Sequence, residues 1–228
     1  MHSHWLNKQN NKNLIVFFAG WSFDYYPFVA LDCGGYDVLM VYDYNDLNVP
    51  EELRNFGNYE SKTLIAWSMG VYCAYLLKDL FKDFNYKLAI NGTVYPVDNE
   101  FGIPIRTFEL TLKFARKSLE GKFYQNIFLT DEEYYIYSSY QVRRTIDNRV
   151  SELEKLYSLI QNRDKCNYEY FYDLAMVSEF DKIIPSQNQI ASHKKCEIPV
   201  ITIPYGHYPF YYFSSWDEII KCRQTINQ

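Results

Sequence analysis

The sequence is poor in the features that fix several protein classes at once. Its five cysteines (Cys33, Cys73, Cys166, Cys196 and Cys222) are odd in number and widely spaced, with no Cys-x-x-Cys pair. That argues against a disulfide framework and against a cysteine zinc site, and a reducing cytoplasm is the simplest compartment. No apolar run approaches the length needed to span a bilayer. The opening Met1 to Asn13 is polar and lacks the apolar centre of a signal peptide. The Asn91-Gly92-Thr93 sequon therefore carries no expectation of glycosylation. No Walker or dinucleotide loop, repeat or low-complexity tract occurs, and the net charge of −5 excludes the chain as a whole from nucleic-acid binding. Asp43 and Asp46 have no His or Cys companion, so they read as a surface loop rather than a metal site.

What is present is a core. Hydrophobic residues make up 48% of 228, enough for one domain, or one core with a helical excursion. Aromatics are abundant, with 23 tyrosines, as a pocket or lid would use, although genome bias gives the same excess. Six nearly continuous apolar runs read as strands buried on both faces of a parallel sheet: Leu14 to Phe18, Val38 to Tyr42, Thr63 to Trp67, Leu88 to Ile90, Leu174 to Val177 and Val200 to Ile203. Helical segments separate them, beginning with Met69 to Phe81, so the pattern predicts a doubly wound α/β sheet. From about 95 to 170 the rhythm changes. Thr107 to Leu119 and Gln141 to Ile160 read as amphipathic helices, with a strand-like Tyr134 to Tyr137 between them. One domain, 1–228, with a helical cap inserted at about 95–170 is the expectation.

The sharpest local signal is Thr63-Leu64-Ile65-Ala66-Trp67-Ser68-Met69-Gly70-Val71. A strand running into small-x-Ser-x-Gly and then a helix is a nucleophile elbow: the turn throws the serine oxygen into the open. The alternative is that Ser68 merely caps the following helix. A serine nucleophile needs a base and an orienting acid, here expected in the order Ser, Asp, His. His2 and His4 lie in the polar start and His193 in a polar helical stretch. His207, in the turn-rich Pro204 to Phe210 just past the last strand, is left as the base unless it is an ordinary loop histidine. Asp181 follows the preceding strand and is preferred as the acid over Asp173, at the wrong end of that strand, and over Glu179. Each of the three stands beyond the C-terminal end of a different strand, where open α/β sheets hold their sites. The oxyanion hole is expected from the backbone N–H groups of Met69 and Trp21, the latter following Gly20 in the loop after the first strand. Trp21 and Trp67 are expected to line the substrate pocket. Arg143, Arg144 and Arg149, with Lys113, Arg116, Lys117 and Lys122, concentrate positive charge in the cap helices; a solvated face is the plain alternative to a docking role.

Several segments together resemble one family. Phe18-Ala19-Gly20-Trp21, Val41-Tyr42-Asp43-Tyr44, Ala66-Trp67-Ser68-Met69-Gly70-Val71, Asn91-Gly92-Thr93, Phe101-Gly102-Ile103-Pro104, Asp181-Lys182-Ile183 and Gly206-His207-Tyr208 resemble the BioG-type pimeloyl-acyl-carrier-protein methyl ester esterases, in order, from about residue 14 to 213. The resemblance implies an α/β-hydrolase fold and a cytoplasmic serine esterase of biotin synthesis with no cofactor. Its substrate would be the methyl ester of pimeloyl-acyl carrier protein, with Arg116, Lys117, Arg143 and Arg144 as candidate docking residues for the acidic carrier. Neither a membrane nor a nucleic acid is an expected partner. A serine hydrolase of another short-chain ester or thioester, and a non-catalytic binding protein on the same fold, are the competing readings.

Overall fold

The computed structural model describes residues 1–57, 59–162 and 169–222; Cys166, weighed above among the cysteines, lies outside them. Among the described residues seven strands form one sheet in the order β1-β3-β2-β4-β5-β6-β7. They span His2–Asn7 (β1), Asn13–Phe18 (β2), Tyr36–Tyr42 (β3), Ser61–Trp67 (β4), Tyr86–Ile90 (β5), Leu174–Ser178 (β6) and Val200–Ile203 (β7). β2 to β7 run parallel, and all six apolar runs read from the sequence fall within them. Their side chains are almost wholly buried from β2 to β6, as two-sided coverage by helices requires.

The edge strand β1 lies in the polar start, outside the six apolar runs. It pairs antiparallel with β3, His2 opposite Tyr42 and Trp5 opposite Leu39. An edge strand keeps one side in water, so it needs no apolar run, and His4 instead lies flat on Tyr25 with ring centroids 3.7 Å apart.

α1 (Met69–Leu76) follows β4 directly, and a short 3₁₀ turn, Lys78–Phe81, completes the segment expected as one longer helix. Between β5 and β6 the described residues form five helices: α2 (Ile105–Lys113), α3 (Ala115–Leu119), α4 (Lys122–Ile127), α5 (Asp131–Ser139) and α6 (Ile146–Gln161). The strand-like Tyr134 to Tyr137 lies inside α5. Thr130 caps that helix by accepting the Glu133 N–H, and Asp131, Glu132 and Glu133 complement the positive end of its dipole. Helix start signals outweigh a run of tyrosines. α6 likewise begins only at Ile146, because the Thr145 hydroxyl accepts the Asn148 N–H. α7 (Ser186–Lys195) follows β6 and α8 (Trp216–Lys221) follows β7. Among these residues no helix is long and apolar enough to cross a membrane.

α7 looks polar in sequence, yet its His193 is buried and its Nε2–H donates 2.9 Å to the Gly92 carbonyl beneath the site. Burial pushes its pKa down from 6.5 to about 4, against the opposing effect of that bond. The folded chain thus refuses a proton that the unfolded chain accepts below pH 6.5. Stability should be complete above that pH and fall by on the order of 3 kcal/mol as pH drops toward 4. His193→Gln keeps a donor but cannot titrate, so its urea-unfolding free energy should vary less across this pH window. An unchanged slope would refute the assignment.

Candidate active site

Parallel strands deliver their following residues to one sheet edge, and three polar side chains converge there. Ser68 follows β4, Asp181 lies just beyond β6, and His207 lies just beyond β7. The Ser68 hydroxyl is 2.9 Å from His207 Nε2, and His207 Nδ1–H donates to Asp181 Oδ2 at 2.8 Å. The His207 and Asp181 side chains are almost wholly buried.

Ser68 stands at φ +57°, ψ −126°, a conformation that costs a non-glycine residue of order 1–3 kcal/mol. The turn survives because strand and helix close tightly around it. A Cβ on Gly70 would lie 2.4 Å from the Phe18 carbonyl oxygen, so only glycine fits there. Gly20 approaches almost as closely, its hypothetical Cβ 3.0 Å from Ser68 Cβ. This brings the loop after β2 against the serine. Ser68 N–H donates to Ile90 C=O, anchoring the elbow to β5.

The acid and the histidine are equally constrained. Asp181 Oδ1 accepts the backbone N–H groups of Ile183 and Ile184, and its Oδ2 accepts from Gln189 Nε2 as well as from His207. His207 C=O accepts from Trp67 Nε1–H at 2.8 Å and from Asn91 Nδ2–H at 2.9 Å. Asn91, at φ +44°, also bonds Ser178 through both ends of its amide, tying the end of β6 to the histidine loop. Gln189 and Asn91 were not singled out for these roles in the sequence. A buried amide that spans three strand ends leaves no local pattern, and an Asn beside Gly reads first as a turn.

A cavity of about 150 Å³ opens beside Ser68 and His207, walled by Trp21, Trp67, Phe108, Phe123, Ile127 and Leu153. Sheet loops and the inserted helices both contribute to it. Trp21 and Met69 reach this cavity. Among the described residues neither of their backbone N–H groups is given to another protein acceptor.

The cationic residues of the insertion separate. Arg116 and Lys117 are exposed on α3, Arg116 pairing with Asp147. Arg143 is exposed with its guanidinium 3.4 Å over the Tyr26 ring. Arg144 corrects the expectation of a docking cation: its guanidinium points inward, 3.0 Å from Asp43 and 2.9 Å from Glu152. Asp43, expected in a surface loop, is correspondingly buried. Burial tends to raise its pKa, but the Asn45 amide and Arg144 outweigh this and hold it below the ordinary range.

A mostly parallel sheet, an elbow serine after the central strand, and a histidine and carboxylate after later strands define the α/β-hydrolase class. An esterase from Exiguobacterium antarcticum shares this fold with a TM-score of 0.62 at 14% identity, over 99% of this chain and 93% of that one. The chain belongs to the family described as pimeloyl-ACP methyl esterase BioG, a family of carboxylic ester hydrolases, whose pattern matches residues 1–219. The crystal structure of BioG from Haemophilus influenzae is similar with a TM-score of 0.84 at 29% identity, over 95% of this chain and 98% of that one. A malonyl-[acyl-carrier protein] O-methyltransferase from Bacteroides fragilis is 29% identical over 185 residues, 81% of this chain. The chain spans only 37% of the length of that curated relative.

Proposed function

We propose that the protein hydrolyses the methyl ester of pimeloyl-acyl carrier protein through Ser68, His207 and Asp181, releasing methanol and the free carboxylate in biotin synthesis. The hydrogen-bonded chain from Ser68 through His207 to Asp181, beside an apolar cavity, is the observation that carries the reading. Membership of the BioG family supports the substrate.

In this mechanism His207 Nε2 takes the Ser68 proton as Oγ bonds to the ester carbon. The carbonyl electron pair moves onto oxygen, where the Trp21 and Met69 N–H groups receive the charge. The intermediate collapses, the C–O bond to the methoxy group breaks, and protonated His207 supplies the proton that makes methanol. Water then enters, gives its proton to His207 and attacks the acyl carbon. Ser68 Oγ departs with the proton returned by His207, and the carboxylic acid formed ionises in water. Every atom comes from substrate, water or Ser68, so no cofactor is required.

The 95–170 insertion is, in this reading, a cap on a single cytoplasmic domain. Arg116, Lys117 and Arg143 are its available docking cations. Lys113, Arg116, Lys117 and Glu120 line a surface hollow with exposed Phe114, and Thr111 of α2 and Ser118 of α3 line the cavity. An acidic carrier seated there could hand its acyl chain inward. Lys117→Glu should raise KM for the carrier-linked ester about 3–10-fold, mostly at low salt, and leave hydrolysis of the free methyl ester unchanged. Equal effects on both substrates would remove Lys117 from the docking surface. The reading as a whole is tested by complementing a bacterium that lacks its pimeloyl ester esterase. Wild type should restore growth without biotin and Ser68→Ala should not; failure by a well-expressed wild type would overturn the substrate assignment.

A further inference from the structure

The loop expected to supply one oxyanion donor is held by the inserted helices at four consecutive residues. Trp21 Nε1–H donates to Arg149 C=O at 2.7 Å. Ser22 N–H donates to Glu152 Oε2 at 3.1 Å, and the Ser22 hydroxyl lies 3.0 Å from the Tyr124 hydroxyl. Phe23 C=O accepts from Arg144 Nη1 at 3.1 Å. Asp24 Oδ2 accepts the Arg143 and Arg144 N–H groups at 2.7 and 3.2 Å. Arg143 to Glu152 all lie on or just before α6.

Glu152 is the centre of this arrangement. It is completely buried, and its other oxygen accepts the Tyr44 N–H at 2.9 Å. One carboxylate therefore joins α6 to the loops after β2 and β3. Ser22 sits at φ +73°, which a serine does not hold unaided. With the Trp21 ring fixed at one side and the Ser22 N–H fixed at the other, the backbone of Trp21 has little freedom left. Burial raises the Glu152 pKa, opposed by Arg144 and by the Tyr44 and Ser22 N–H groups.

We propose that Glu152 is a positioning residue for ester hydrolysis. Through the Ser22 N–H it sets the direction of the Trp21 N–H, so that the oxyanion hole is assembled jointly by the sheet and the cap. The proposal rests on the esterase reading above. It follows that displacing the cap would open the hole as well as the cavity, and that α6 must be seated for the transition state to be stabilised.

Glu152→Gln preserves volume but turns one acceptor oxygen into a donor and removes one of the two charges paired with Arg144. Asp43→Asn is the control. It weakens the same ion cluster on the side away from Ser22, and asparagine tolerates the φ of +60° found there. With p-nitrophenyl butyrate, well below the melting temperature of each variant, E152Q should lower kcat about 10–100-fold. KM should change less than about twofold and the pH profile of kcat/KM should stay in place, because neither Asp181 nor His207 is touched. D43N should lose thermal stability yet keep kcat within about threefold, the room that its indirect contact leaves. Wild-type kcat in folded E152Q, or an equal loss in D43N, would reduce the cluster to scaffolding. If E152Q does not fold, Glu152→Asp takes its place, keeping the charge beside Arg144 but too short to hold both the Ser22 and Tyr44 N–H groups: a fall in kcat at constant KM supports the proposal, and an unchanged kcat overturns it. A Ser68→Ala variant as active as wild type would sink the esterase reading and this role with it. A Ser68-dependent wild type beside an unimpaired E152Q sinks only the role of Glu152.

Discussion

Ser68→Ala is expected to cut kcat for ester hydrolysis by roughly 10⁶, the scale seen when a serine nucleophile is removed from an intact catalytic set. The oxygen proposed to attack is lost, and His207 Nε2 loses the hydroxyl it meets at 2.9 Å. The fold should survive. Alanine bears the same cost at φ +57° as serine does, and the close approaches of Gly70 and Gly20 are untouched. Circular dichroism and melting should therefore match wild type while labelling by a fluorophosphonate disappears. Activity within tenfold of wild type would remove Ser68 from the mechanism.

Asp181→Asn should cost about 10⁴ in kcat with KM little changed. The carboxylate accepts four donors: His207 Nδ1, Gln189 Nε2 and the N–H groups of Ile183 and Ile184. An asparagine offers one oxygen and one amide nitrogen. If the oxygen stays on the two backbone N–H groups, the NH₂ turns toward His207. The imidazole then accepts at Nδ1 and carries its proton on Nε2, where it can no longer take the Ser68 proton. Single-turnover kinetics with a chromogenic ester would expose the slow acylation directly. A loss below tenfold would show that another group orients His207.

Most of the sheet is legible in the sequence itself. Continuous apolar runs such as Leu14 to Phe18 and Leu174 to Val177 have few alternatives to burial on both faces. The site was legible for a related reason. Once parallel strands are granted, residues just past their C-terminal ends share one edge, and Ser68, Asp181 and His207 meet there at hydrogen-bond distance. Elements defined by partners rather than by their own pattern were not. β1 exists because β3 offers it an edge, and α5 because Thr130 and three acidic residues start a helix through a tyrosine-rich stretch.

Charge is where the two levels part most clearly. In sequence Asp43, Arg144 and His193 look like surface residues, since an isolated ionisable group costs too much to bury. Folding brings Arg144 between Asp43 and Glu152 and sets His193, neutral, against the Gly92 carbonyl, so all four turn inward. The order of apolar runs determined the fold class, and the short motifs at their ends brought forward Ser68, Asp181 and His207 as candidates. Only the tertiary structure decided which cations remain outside and which carboxylate braces the Trp21 loop. The physical reason is that hydrophobic periodicity is a local property of the chain, whereas the cost of burying a charge depends on partners that lie far away in sequence.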